Sequence, residues 1–107
     1  MEQELLAQML EVVDGRKSVR LSADQLIAFN DYLADAGFSI SRMETIKMEG
    51  SQTGFRLDYH ILANPSDEEI WDIFLDPERS RTYVKGMVDE TIMEGGVFEF
   101  LVWAEKP

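Results

Sequence analysis

The chain has 107 residues, which suits one domain, residues 1–107, with one hydrophobic core. Its net charge of −11, from 21 acidic and 10 basic residues, opposes direct binding to nucleic acid or to an anionic membrane, because both recruit Lys and Arg. The absence of cysteine excludes disulfides, thiolate nucleophiles and cysteine-ligated metals. With no apolar run near the ~20 residues of a membrane span, we expect a cytoplasmic protein.

Two helices are predicted in the first third of the chain. Apolar residues recur at helical spacing over residues 2–13. The next segment, RKSVRLS, holds the densest basic cluster, and the alternation around Arg20 allows a short strand. Ser22 and Gln25 form a capping-box pattern that begins the second helix, and Gly37 closes it.

Two strands are predicted next, paired as a hairpin. Residues 38–48 carry apolar side chains at alternate positions, with an interruption near Met43 that indicates a bulge or an exposed middle. Residues 55–62 alternate strictly. One face of this second strand would carry Phe55, Leu57, Tyr59 and Ile61, and the other Arg56, Asp58 and His60.

His60 is the only histidine, and Asp58 precedes it by two residues, so the pair resembles two members of a nucleophile–base–acid set. Residues two apart on one strand face lie ~7 Å from each other, too far for a direct bond between short side chains. No serine has the G-x-S-x-G setting of a nucleophile. We therefore predict a surface histidine and no catalytic residue.

The segment SDEEIWDIFLDPER, residues 66–79, combines six acidic and five large apolar side chains. Ser66 and Glu69 form a capping-box pattern at its start. At 100° per residue the large apolar side chains cluster on one side of the helix. The opposite side is predicted to hold the candidate partner-binding residues Glu68, Glu69, Asp72 and Asp76.

Two interpretations of these carboxylates stay open, a solvated helix face and a surface for a basic partner. A metal site is not predicted, because the segment lacks both the EF-hand spacing and the Glu-x-x-His pattern of di-metal bundles. No cofactor is predicted, since the chain has no P-loop, no G-x-G-x-x-G and no H-E-x-x-H.

The last third is less uniform. Residues 79–86 are compatible with a short second helix or with a strand. The Gly95-Gly96 pair predicts a hairpin turn, because glycine supplies the positive φ angles of tight turns. VFEFLVW, residues 97–103, is the strongest predicted strand. It is apolar on both faces, which indicates a central strand or one whose second face is covered.

These elements predict an α+β fold in the order α-α-β-β-α-β-β. About three helices would lie on one face of a four-stranded, mainly antiparallel sheet made of two hairpins. The sequence shows no repeat and no internal domain boundary.

One stretch carries a family resemblance. ILANPSDEEIWDIFLDPERSRTYVKG, residues 61–86, resembles the start of the helix-grip domains related to the polyketide cyclases and to the activator of a heat-shock-protein ATPase. In that family a strand leads into a capped helix, a turn of the D-P-E-R type and a second short helix. The resemblance covers about a quarter of the chain and implies a helix break at Asp76-Pro77. It also implies an alternative function, a small ligand-binding domain.

The sequence favours a small acidic, non-enzymatic interaction protein that binds or inhibits a protein partner with a basic surface, such as a nucleic-acid-binding protein. One alternative is a structural or assembly protein that forms a homo-oligomer, for example a homodimer, through an uncovered sheet face or edge. Trp103 and Leu101, on the second face of the last strand, motivate that alternative. The helix-grip-like ligand-binding domain is the other.

Overall fold

The computed structural model describes residues 2–107, which form four α-helices, five strands and one turn of 3-10 helix. The elements follow as α1 (Gln3–Asp14), β1 (Val19–Ser22), α2 (Ala23–Asp35), β2 (Ser39–Glu49), β3 (Gln52–Phe55), the 3-10 helix (Leu57–Tyr59), β4 (Ile61–Leu62), α3 (Glu68–Phe74), α4 (Pro77–Glu94) and β5 (Val97–Glu105). The predicted α+β class is confirmed, with one helix and one strand more than expected.

All strand pairs are antiparallel, and the strand order is β1-β5-β2-β3. The short β4 pairs with β2 on the same edge as β3. β5 pairs with β1 on one side and β2 on the other, which confirms the first of the two predicted alternatives, a central strand. A register shift between Ile40 and Arg42 gives β2 the predicted irregularity, slightly earlier than Met43.

The helices cover one face of the sheet. Inward-facing side chains of β5 form a single buried cluster with the apolar sides of α1, α2 and α4. The main contributors are Phe98, Phe100 and Val102 from β5, Met9 and Val13 from α1, Leu26, Phe29 and Leu33 from α2, and Val84 and Val88 from α4. The result is two layers, helices on one side and sheet on the other.

Local capping sets where the helices begin. The Ser22 hydroxyl accepts from the Gln25 backbone N–H, and the Gln25 side chain accepts from the Ser22 backbone N–H, which completes the predicted capping box of α2. Gly37, at φ 81°, follows the end of this helix, as a C′ glycine does. The implied break at Asp76-Pro77 is confirmed, since α3 ends at Phe74 and Pro77 is the first residue of α4.

The prediction of one continuous strand over residues 55–62 is wrong. The chain leaves the sheet after Phe55, makes a 3-10 turn, and returns as the two-residue β4. Phe55 and Leu57 are exposed by 63% and 77%, whereas Tyr59 and Ile61 are buried. The turn rotates the backbone between the two pairs, so strict alternation in the sequence does not place all four side chains on one face.

The predicted hairpin at Gly95-Gly96 is also wrong. Residues 79–86 are helical, and α4 continues for 18 residues to Glu94. Its buried positions, Ser80, Val84, Val88 and Thr91, recur every three or four residues, a helical period that outweighs the strand propensity of its valines and threonines. Gly95 instead ends the helix at φ 81° and leads into β5.

None of the helices within residues 2–107 has both the length and the apolar content needed to cross a bilayer.

Candidate functional site

The acidic residues predicted to bind a partner lie on and just after α3. Glu68 and Glu69 occupy its first turn, where carboxylates are stabilised by the helix dipole, and Asp72 lies one turn further on. All three are exposed, and none forms an ion pair with any residue of the described part of the chain. Their full negative charge is therefore directed to solvent.

The start of α3 differs from the predicted capping box. Asp67, not Ser66, is the N-cap, and its carboxylate accepts from the Ile70 backbone N–H at 3.3 Å. Ser66 instead bonds to the side-chain oxygen of Asn64 through both its backbone N–H and its hydroxyl. An aspartate caps as well as a serine and also adds negative charge at the helix N-terminus.

Asp76 has a separate structural role. It follows the end of α3 and caps α4, where its carboxylate accepts from the backbone N–H groups of Glu78 and Arg79 at 3.0 and 3.4 Å. The four predicted residues are thus divided between two helices, and one of them is committed to a cap. The candidate site consists of Glu68, Glu69 and Asp72 on α3.

Charge is segregated between the two layers. The four helices and their N-caps hold 16 of the 21 acidic residues and three of the 10 basic ones, a net charge of −13. The strands and loops hold the remaining five acidic and seven basic residues, a net charge of +2. Fifteen of these carboxylates are exposed, and the side chain of the sixteenth, Glu94, is 28% exposed because Arg56 and Lys47 bind it. The outer helical surface is therefore strongly negative, and the strands and loops together are nearly neutral.

Tyr83 on α4 lies within this negative region. Burial raises the pKa of its hydroxyl, and the charges of Glu69, Asp67 and Glu90 raise it further. The acidic side chains of α3 and α4 therefore act on one common area of surface. Tyr83 is half-buried there, in a hollow that it shares with Ile73. We name the area formed by Glu68, Glu69, Asp72 and Tyr83 the acidic patch.

A second group of charges joins the far end of α4 to the sheet. The Glu94 carboxylate accepts from the Arg56 guanidinium at 2.7 Å and, through its other oxygen, from Lys47 at 2.9 Å. Arg56 also donates to Asp58 at 2.8 Å. We name these four residues the charge clasp. The Arg56 and Lys47 cations lie over the Phe98 ring at 5.9 and 5.5 Å, so the clasp also covers the rim of the core.

The clasp contains the largest pKa shifts in residues 2–107. Hydrogen bonds from Arg56 and then Lys47 lower the pKa of Glu94 to about 2. Hydrogen bonds to Glu94 and then Asp58 raise the pKa of Arg56 above its usual range. Burial raises the pKa of Tyr59, whose hydroxyl lies 3.4 Å from Glu94. A carboxylate with both oxygens paired and so low a pKa is a poor general base, so the clasp is better explained as a structural tie than as a catalytic group.

His60 is not the surface residue that was predicted. It is half-buried, its Nδ1 accepts from the Thr45 backbone N–H at 3.2 Å, and its ring meets the edge of Phe55. Asp58 bonds to Arg56 instead of His60. His60 thus completes the hydrogen bonding of β2 where β3 and β4 leave a gap in the ladder.

The structure offers limited room for a small ligand in the region that resembles helix-grip domains. The cavity between α3, α4 and β2 has a volume of only about 10 Å³, and Ile40, Ile61, Ile70 and Phe74 are among the residues that line it. Ligand sites usually occupy ~300–1,000 Å³. No three His, Asp or Glu side chains of residues 2–107 are arranged to hold a metal ion.

The face of the sheet opposite the helices is not covered by any element of residues 2–107. It displays the residues that alternate with the buried ones on β5, together with their partners on the neighbouring strands. These are Arg20, Arg42, Glu44, Ile46, Met48, Phe55, Leu62, Val97, Glu99, Leu101 and Trp103, which we name the open sheet face. Leu101 and Trp103, singled out in the sequence, are half-buried within it.

Comparison of the chain with protein-family models, with curated proteins and with solved structures gives no match.

Proposed function

We propose that the protein is a small, non-enzymatic interaction protein whose acidic helical layer binds a basic surface on a protein partner, such as a nucleic-acid-binding protein, and inhibits it by masking that surface. The observation that carries the proposal is the charge segregation. A net charge of −13 on one layer against +2 on the rest gives the molecule one strongly attractive side for cations.

The carboxylates of α3 are close enough for their electrostatic potentials to add. Glu68 and Asp72 are one helical turn apart, ~6 Å along the axis. This is shorter than the Debye length of ~8 Å at physiological salt, so their potentials add in the solvent in front of α3. Such a field raises the association rate for a basic surface and weakens as salt is added.

The acidic patch also provides an aromatic anchor. Interfaces obtain much of their affinity from a few centrally placed aromatic or arginine residues, with charges at the rim setting rate and specificity. Tyr83 is half-buried beside the apolar Ile73, in a hollow that Glu78 and Arg79 also line. The charges of Glu69, Asp67 and Glu90 act on its hydroxyl. A lysine or arginine of the partner would meet both an aromatic ring and a negative field there.

The test is affinity capture from the native host with a charge-reversed variant. Replacing Glu68, Glu69 and Asp72 with Lys should abolish capture of the partner, since a basic surface would then meet like charge, at a cost of several kcal/mol across an interface. Asp76 is left unchanged, because its substitution would also remove the cap of α4. The fold should persist with a small loss of stability, because the three side chains are exposed and unpaired and only the interaction of Glu68 and Glu69 with the helix dipole is reversed.

The matched control replaces Glu2, Glu4 and Glu11 with Lys, which changes the net charge by the same amount on α1. These residues are also exposed. Retained capture by this control, together with loss in the α3 variant, would support the acidic patch. Equal loss from both variants would indicate a bulk charge effect, and full capture by both would refute the proposal.

A further inference from the structure

We propose that the open sheet face is the interface of a homodimer, in which two copies of the chain pack their sheets face to face. This inference is independent of the proposed partner. The open sheet face, which the helices leave uncovered, exposes several apolar side chains. Phe55, Leu62 and Val97 are each 62–63% exposed, and Leu101 and Trp103 of β5 lie half-buried on the same face. Apolar side chains grouped in this way indicate an interaction surface.

Charge favours a second copy of the chain as the occupant. Two copies repel each other through their helical layers, which carry −13 each, whereas the rest of each molecule carries +2. The sheet side is therefore the side through which identical molecules can approach closely. A basic partner, by contrast, is drawn to the helices.

The local charges of the open sheet face also suit self-association. A two-fold interface brings the same patch of both subunits together, so the patch must be complementary to itself. Arg20 is paired with Glu99, and Arg42 with Glu44, so cations and anions are present in equal number. A two-fold rotation can place the arginines of one copy against the glutamates of the other.

Trp103 is held in place before the subunits meet. The Arg42 guanidinium lies 4.7 Å from the centre of its ring, and Arg42 and Trp103 are direct partners in the β2–β5 ladder. An aromatic residue fixed by cation–π stacking loses little conformational freedom on association. Trp103 is thus the expected anchor of the interface.

The area of the open sheet face is sufficient for a weak dimer. The nine residues of β5 span ~30 Å along the strand. The sheet is four strands wide, ~19 Å at a spacing of ~4.8 Å. Because β1 is short, the open sheet face has an area of roughly 500 Å² per copy. About 1,000 Å² in total lies at the lower limit for a specific interface. We therefore expect a reversible dimer with a dissociation constant in the micromolar range, in which both acidic layers face outward.

Sedimentation velocity from ~1 μM to ~1 mM protein tests the inference. The wild-type chain should change from monomer to dimer across this range. Replacing Phe55 and Leu62 with Glu places four like charges in the interface, and this variant should remain monomeric. The matched control replaces Ile92 and Met93 with Glu, since these exposed apolar residues of α4 lie outside the sheet, and it should dimerise normally.

A wild-type chain that is monomeric at ~1 mM would overturn the inference, as would a dimer that survives the Phe55 and Leu62 substitutions. A second measurement covers the case in which that variant does not fold. With Trp71→Phe, Trp103 is the only tryptophan, and its emission should shift to the blue as the protein concentration rises. An emission maximum that is independent of concentration while the protein dimerises would place the interface elsewhere and refute the proposal.

Discussion

Phe100→Ala should destabilise the protein more than almost any other single truncation of the sheet. Phe100 is fully buried on β5, where its partners in the ladder are Leu21 and Thr45. The loss of burial costs ~2–3 kcal/mol. A residual cavity of ~50–80 Å³ adds ~1–2 kcal/mol at ~24 cal/mol per Å³, for a total of about 3–5 kcal/mol. The free energy of unfolding of a domain of this length is only ~5–15 kcal/mol, so the folded variant should keep little of it.

Phe55→Ala is the matched control, because it makes the same substitution on the open sheet face. Phe55 is 63% exposed, so its truncation should lower the free energy of unfolding by less than ~1 kcal/mol. Urea unfolding at ~1 μM protein, where the monomer dominates, measures both values. With a slope of ~1–2 kcal/mol per M, the urea midpoint of Phe100→Ala should fall by ~1.5–5 M. A Phe55→Ala loss equal to or larger than that of Phe100→Ala would contradict the assignment of the two sheet faces.

Two further predictions concern α4. The pKa of Glu94 is lowered from 4.5 to about 2 in the folded state, so its contribution to stability is complete above pH ~4.5 and is lost as the pH falls toward 2. Glu94→Gln should therefore lower the denaturant midpoint at pH 6 but match wild type near pH 2. The control Glu90→Gln should change the midpoint little at either pH. A loss of stability in Glu94→Gln that is the same at both pH values would argue against the charge clasp. Gly86→Ala, in open space within α4, should raise stability by ~0.5–1 kcal/mol, and Gly95→Ala, at φ 81°, should lower it by ~1–2 kcal/mol. If thermal unfolding showed that both substitutions shift the melting temperature in the same direction, the observed extent of α4 would be contradicted.

The fold class was predictable because it depends on local signals. Apolar periodicity located α1, α2 and β5, and the capping pattern at Ser22 and the break at Asp76-Pro77 set two boundaries within a residue or two. The errors arose where local signals were ambiguous. Alternation over residues 55–62 did not reveal a 3-10 turn, and a Gly-Gly pair supplies positive φ angles to a helix end as readily as to a hairpin.

The candidate site was predictable only in part. Exposure of Glu68, Glu69 and Asp72 followed from the helical period, whereas the cap formed by Asp76 required knowledge of where α3 ends. The charge segregation could be derived from the sequence, since acidic residues can be counted in predicted helices. The charge clasp was not, because Lys47 and Glu94 are 47 residues apart and nothing local in the sequence links them.

The most direct test of the central claim is a map of the surface that binds the captured partner. Backbone amide chemical shifts of the protein should be followed as that partner is titrated in, at low and at physiological salt. The account predicts shift changes on α3 and around Tyr83, with affinity that falls as salt rises. Changes confined to β5 and β2 on the open sheet face, or an affinity that does not depend on salt, would contradict it.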